Sequence, residues 1–300
     1  QLFIVITPGD PARMLSSNEV SEEEVEMLRE EMGLNDPFFV RYGDYMAGLL
    51  RGDLGISYTT KEPVFNEILE RFPYTLLLVS VSMLLAVIIG IPLGIYAATH
   101  QYSWKDNAAI FISLVCVSMP AFWFALLLIQ FFGVKLRILP VAGIDSWKSW
   151  ILPCVSTALS YAAAIARQMR SNLLEVIRQD YITTARAKGQ NERKVLYSHA
   201  LNNAVIPIIM TVGSIFGFAL GGSLIAEVIF GIPGLGTYTI AALMSRNYPV
   251  IQTSVLFLST MFCIILLLTD LAFAVVDPRI RAQYSKRSKK KTIKANNVSE

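Results

Sequence analysis

Five stretches of this chain run for 18 to 28 residues without one Asp, Glu, Lys or Arg: residues 75–99, 107–134, 149–166, 205–226 and 247–269. Each is long enough to cross about 30 Å of hydrocarbon as a helix. In lipid a segment must satisfy its own backbone groups, so helices rather than open sheet are the available solution. A large soluble helical core is the competing explanation, but such a core has no need of repeated uncharged runs this long. Only 16% of the residues are charged, against about a quarter in an ordinary soluble domain, and they cluster between the windows.

Residues 1–7 are also apolar and break at Pro8-Gly9-Asp10. Seven residues do not span a bilayer, and no basic segment precedes them as in a secretory signal. The expectation is that residues 1–8 are the outer end of a first transmembrane helix that is truncated here. The fold expected is therefore an all-α integral membrane bundle of six transmembrane helices, five of them complete. Cys116, Cys154 and Cys263 all lie in or at the edge of apolar windows and read as small packing residues. They make no metal-ligand spacing with each other or with His100 and His199.

Lys and Arg set the orientation. Arg167, Arg170, Arg178, Arg186, Lys188, Arg193 and Lys194 follow the third complete window, and a basic tail, residues 277–300, follows the fifth. Six spans place both on one side, which the positive-inside rule makes cytoplasmic. The tail reads as a disordered segment beside anionic membrane lipid. Residues 9–73, with 14 acidic and 6 basic residues, fall outside. That segment carries a capping box at Ser21 and Glu24, a stop at Gly33, and a second amphipathic stretch with Phe38, Phe39, Tyr42, Tyr45, Met46 and Leu49 at helical spacing. Its apolar face is expected to pack on the membrane domain or lie in the interface.

The loop before residue 205, about 171–204, has the pattern of an ordered elbow. A helix from about Asp180 to Lys188 stops at Gly189, and Asn191 can cap a second short helix. Thr184, Ala185 and Ala187 are small enough for close approach by another surface, and Arg186, Lys188, Arg193 and Lys194 surround them. Three readings are open from the residues: a plain positive-inside loop, a DNA-binding helix-turn-helix, and a docking knob for a cytoplasmic partner. Attachment to spans at both ends argues against the nucleic-acid reading.

This loop resembles the EAA motif of permease subunits of bacterial ABC importers, whose pattern is Glu-Ala-Ala, three residues, Gly, nine residues, Ile-x-Leu-Pro. Gly189 stands at the Gly, Ala185 at the second Ala and Leu201 at the Leu. Thr183 and Thr184 replace Glu and Ala, and His199 and Asn202 replace Ile and Pro. The version Ala185-Arg-Ala-Lys-Gly189 with a later Asn203-x-x-x-Pro207 is similar to the dipeptide, oligopeptide and nickel permease branch. So are Gly33-Leu-Asn-Asp-Pro37, Gly52-Asp-Leu-Gly-Ile-Ser57, Ser118-Met-Pro-Ala-Phe-Trp123, Phe230-Gly-Ile-Pro-Gly-Leu-Gly236 and Asp277-Pro-Arg-Ile-Arg281, in order along nearly the whole chain.

The resemblance implies a type I ABC importer permease in the bacterial cytoplasmic membrane, with residues 74–276 as its transmembrane domain. It implies a second homologous permease, two cytoplasmic ATPases that use ATP and Mg, and an extracytoplasmic substrate-binding protein. Thr183, Thr184, Ala185, Arg186 and Gly189 would dock the ATPase. The cargo implied is a dipeptide or oligopeptide, with nickel as the alternative. No Gly-x-x-x-x-Gly-Lys-Ser/Thr phosphate loop, Gly-x-Ser-x-Gly elbow or His-Glu-x-x-His pair occurs, so this chain is expected to be non-catalytic and to bind no cofactor itself. A channel or ion-gradient-driven transporter is the rival. Such proteins place charges near the bilayer midplane, whereas Glu227 and Asp270 sit near span ends and read as satisfied interface residues. Phe230, Gly231, Pro233, Gly234 and Gly236 form a Gly- and Pro-broken outer stretch, read as a gate or binding-protein contact or else a re-entrant connector. Met119-Pro120 predicts a kink in the second complete span.

Overall fold

The computed structural model describes residues 10–15 and 21–276. The stretch expected to end a first helix, the basic tail and the Asp277–Arg281 motif lie outside the described residues. Beyond a short turn at Pro11–Leu15, the outer segment holds α1 (Glu22–Glu31) and α2 (Phe38–Leu50). The capping box forms as the sequence implies: Ser21 Oγ accepts from Glu24 N at 3.3 Å, and Ser21 N donates back to Glu24 Oε2 at 3.2 Å. In helix α2 none of the residues is buried, and Phe39 and Leu50 are more than four-fifths exposed. Its Phe38 packs on Phe39 and Tyr42 of the same helix, while Arg41, Asp44 and Tyr45 on another side share a pocket with Tyr248, Pro249 and Gln252; the exposed apolar side chains suit the interface alternative.

The first complete window lies within α3 (Val64–Thr99), a 36-residue helix. At 1.5 Å per residue it exceeds the hydrocarbon thickness, so its first turns, with Glu67, Glu70 and Arg71, stand outside. The second window is split into α4 (Trp104–Ser118) and α5 (Ala121–Leu128), the latter prolonged by a wider turn, Ile129–Lys135. The break falls at Met119, whose φ of −73° and ψ of 130° are extended. A proline disfavours the helical region for the residue before it; Pro73, Pro92 and Pro207 are tolerated inside helices, but at Met119 the extended backbone prevails and α4 ends where a kink was expected.

With the orientation that the Lys and Arg distribution implies, helix α6 (Ile151–Ile177) runs towards the cytoplasmic side and α7 (Asp180–Ala187) follows. Helices α8 (Leu201–Gly222) and α9 (Leu224–Phe230) climb outward, α10 (Leu235–Met244) turns aside at 87° to α9, and α11 (Tyr248–Val276) descends. Four helical segments among the described residues are long and apolar enough to cross a membrane. The α9–α10 pair also forms one bent apolar segment, whereas the expected crossing at residues 107–134 is divided between α4 and the shorter apolar helical run Ala121–Lys135.

Helices α3 and α6 meet backbone to backbone. A Cβ on Gly90 would lie 2.7 Å from the Ala162 carbonyl, and one on Gly94 would lie 2.5 Å from the Ala166 carbonyl. Glycine four residues apart, facing alanine, is the small-residue seam by which membrane helices approach when lipid provides no hydrophobic drive. The seam continues into one core. Met83, Ala86, Ile165, Met169 and Leu173 lead down to Ile182 and Ala185 of α7, and on to Val195, Ala204 and Ile208. Cys154 is buried in a second cluster with Leu78, Leu152 and Phe230, whereas Cys263 is exposed on α11, outside any core; the side chain of Cys116 lies outside the described residues.

Candidate functional site

Two structured corners lie at opposite ends of the bundle. At the cytoplasmic end α7 begins after extended Gln179 and closes on Lys188, and Gly189 takes a φ of +74°. Gly189 N donates to the Arg186 carbonyl at 2.9 Å and Gln190 N to the Ala185 carbonyl at 3.4 Å, so the last carbonyls of α7 are satisfied as the chain reverses. Asn191 Oδ1 then accepts from Arg193 N at 3.0 Å, the expected cap. The second arm is not a separate short helix: residues 192–222 run as one helical span through a wider turn at Val195–Ala200 into α8. The elbow is thereby the cytoplasmic end of a membrane-crossing helix.

Arg186 ties the arms together, with Nη2 at 2.6 Å and Nε at 3.1 Å from the Glu192 carboxylate. That bond holds the Glu192 carboxyl below its ordinary value and raises the Arg186 guanidinium. Lys188, Arg193 and Lys194 have no acidic partner among the described residues, so the exposed bend remains positive. Of the residues singled out from sequence, Thr183, Thr184, Arg186 and Gly189 are exposed, while Ala185 is buried with Ile182 in the core. An added Cβ on Gly189 would meet no atom within 4 Å, so the surface there is open. Tyr181 and Tyr197 are also exposed, and Tyr181 Oη accepts from Asn203 Nδ2 at 3.0 Å. They were not singled out, although two aromatic residues within a basic loop are a signal for a contact surface.

At the outer end the Phe230–Gly236 hairpin is organised around Glu227. This carboxylate is fully buried and accepts from Thr75 Oγ1 at 2.7 Å, Ser223 Oγ at 3.1 Å and Thr237 N at 3.1 Å. It sits at the N-terminus of α10, where the helix dipole favours a negative charge. Thr75 Oγ1 in turn accepts from Leu235 N at 2.9 Å. Glu227 is satisfied, as expected, but inside the protein rather than at an interface; Asp270 is exposed on α11. Gly234 and Gly236 are buried: the Glu227 carboxylate occupies the space a Cβ on Gly234 would need, and the Leu224 backbone and that carboxylate together occupy the space at Gly236. Phe230 is buried too, whereas Gly231 and Pro233 face outward.

A second polar junction fixes the same helix. Tyr238 Oη donates to Glu67, which is 4% exposed, and the Arg71 guanidinium lies 4.3 Å from the centre of the Tyr238 ring. Asn247 Nδ2 donates to Ser57 Oγ at 2.9 Å and Thr59 Oγ1 at 2.7 Å, which pins the Gly52–Ser57 stretch against the start of α11. Thr75, Glu67, Tyr238 and Asn247 escaped the reading of the sequence. A carboxylate beside an apolar run was the available signal, since it must find donors when it is buried. Among the described residues, no three His, Cys, Asp or Glu side chains gather where a metal ion could be held.

Comparison with known proteins agrees with this architecture. Residues 90–282 match the family "binding-protein-dependent transport system inner membrane component", and residues 1–79 match the N-terminal part of such membrane components. The chain is similar to the glutathione transport system permease protein GsiC of Escherichia coli O6:H1, 41% identical over 280 residues, 93% of this chain and 92% of that protein. It is 40% identical, over the same shares, to the protein of the same name in Shigella dysenteriae serotype 1. Among solved structures, inward-facing conformations of the MetNI methionine ABC transporter share the fold, with a TM-score of 0.61 and 21% identity over 72% of this chain and 99% of that one.

Proposed function

Since the chain belongs to the family of binding-protein-dependent transport system inner membrane components, we propose that it carries a small peptide across the membrane and takes its driving force from an ATPase seated on the elbow. It is a multi-pass inner-membrane permease subunit of an ABC importer, of the branch that includes the glutathione permeases. The cargo proposed is a di- or tripeptide, glutathione among them, handed over by an extracytoplasmic binding protein. A second homologous permease and two cytoplasmic ATPases, which use ATP and Mg, complete the assembly.

One observation carries this reading: the elbow surface is exposed and positive, yet its inner face, Ile182 and Ala185, belongs to the same packed core as α3, α6 and α8. Close-packed side chains do not absorb displacement. Closure of the two ATPases would therefore move α7 and the start of α8 as one body, and α8 would deliver the movement to α9 and Glu227. Opening the outer end then requires α10 to leave Thr75. Those hydrogen bonds contribute about 1 kcal/mol each net, a latch that holds at rest and yields to ATP binding.

Co-reconstitution in lipid vesicles with the neighbouring permease, ATPases and binding protein is the test. Labelled glutathione and dipeptides are expected to accumulate only with ATP inside and binding protein outside. Accumulation driven by an ion gradient without ATP would remove the ATPase reading. ATP-dependent uptake of another cargo, with no peptide uptake, would remove the peptide reading alone.

A further inference from the structure

An apolar groove of about 290 Å³ opens on the cytoplasmic half of the bundle, between the last turns of α3, the first turns of α4 and α6. Leu93, Ala97, Ala108 and Ile112 line it, and Arg167 and Arg170 close one side. Trp104 and Tyr96 also contribute and are 75% and 44% exposed. Helix α3 ends at Thr99 and α4 starts at Trp104, which puts the groove at the depth of the inner-leaflet headgroups, where Trp and Tyr concentrate.

The two arginines differ in their charge balance. Asp106, 1% exposed, accepts from Arg170 Nε at 2.7 Å and Nη2 at 2.6 Å, and from Tyr102 N at 3.1 Å. Arg170 is thereby neutralised and holds the α3–α4 corner in place. Arg167 has no acidic partner among the described residues. Among the described residues, one uncompensated cation, Arg167, therefore faces an apolar slot at headgroup depth. A free anion would satisfy the cation and leave the slot unfilled. A neutral lipid would fill the slot and leave the cation unpaired.

We propose that this groove retains one phospholipid with a singly anionic headgroup. Its phosphate lies on Arg167, and part of an acyl chain lies along Leu93, Ala97, Ala108 and Ile112. Basic pockets between transmembrane helices on the cytoplasmic side have the chemistry for such headgroups. The site adjoins the Gly94–Ala166 contact, so the lipid would brace the α3–α6 seam above the elbow.

Native mass spectrometry on the detergent-extracted transporter complex, titrated with phosphatidylglycerol or with phosphatidylcholine of the same acyl chains, tests this. The wild type is expected to retain one phosphatidylglycerol with about tenfold preference, from a charge-assisted contact to a single arginine. Arg167→Gln is expected to abolish the preference, Arg167→Lys to keep most of it, and Ile112→Trp to weaken both lipids. Equal retention of the two lipids by the wild type, or an undiminished preference in Arg167→Gln, would overturn the proposal. So would displacement of phosphatidylglycerol by inorganic phosphate, or a cysteine at Ile112 that crosslinks to the second permease. If Arg167→Gln does not assemble, the wild-type lipid comparison and phosphate competition decide by themselves.

Discussion

A Cβ placed on Gly189 of the cytoplasmic elbow would touch nothing within 4 Å, and only a φ of +74° favours glycine there. At the outer hairpin Gly234 has a φ of −87°, open to any residue, but its Cβ would fall 2.5 Å from Glu227 Cδ and 2.8 Å from Thr75 Oγ1. The elbow is an exposed bend shaped by its own backbone, with room left for another protein. The hairpin is a closed polar junction in which a missing side chain makes space for a carboxylate. The same residue type thus serves conformation at one end and volume at the other, and the two ends should fail differently when it is replaced.

The largest effect is expected from Gly234→Val. Overpacking against a buried carboxylate costs roughly 3 kcal/mol or more, because the hairpin backbone has to move and Glu227 loses its donors. Thermal unfolding of the purified protein, or its yield in membranes, should drop sharply; near wild-type stability would show that the junction is loose. Glu227→Ala ranks next. It leaves Thr75, Ser223 and Thr237 N without their acceptor, at about 2 kcal/mol or more, and Glu227→Gln should recover part of that loss because it keeps one acceptor oxygen. Equal damage from Ala and Gln would mean that the charge at the start of α10, not the hydrogen bonding, holds the hairpin.

Gly189→Val should behave in the opposite way. The left-handed backbone costs a β-branched residue about 1–2 kcal/mol locally, so membrane insertion is expected to be normal while stimulation of the ATPase by the complex is lost. Gly189→Asn, which tolerates this region better, should be milder. Unchanged ATPase stimulation in Gly189→Val would break the contrast between the two ends.

The smallest effect concerns the Arg186–Glu192 bridge, whose side chains are 40% and 65% exposed and which is worth less than about 1 kcal/mol. Because Arg186 depresses the Glu192 carboxyl, its stabilisation is present above the ordinary carboxylate value of 4.5 and fades as pH falls through the depressed folded value. Melting curves of wild type and Glu192→Gln should therefore differ slightly at neutral pH and converge on acidification. A gap that widens in acid would show that the bridge is not what closes the bend.

Much of this was legible residue by residue. Charge-free windows located the crossings, since lipid excludes unpaired charge over a fixed thickness. Ser21 with Glu24, Gly189 and Asn191 announced their caps, because a cap depends on neighbours two to four residues away. Pro120 announced a distortion for the same reason, but whether a kink or a full break results depends on what packs around it. What escaped was what distant parts of the chain do to each other. Thr75 and Glu227 meet across 152 residues, and no local pattern in either segment names its partner. The Gly90–Gly94 spacing was visible, but not that it faces the Ala162 and Ala166 carbonyls.

The sequence by itself determined where the long apolar helices lie and that an ordered bend lies at Gly189, because hydropathy and capping act over a few turns. Only the tertiary structure decided that Ala185 turns inward while Thr183 and Thr184 face out, that the elbow continues into α8, and that Glu227 closes the outer end from inside. Those outcomes depend on which helices pack together, and burial and hydrogen-bond pairing take effect only once the packing exists.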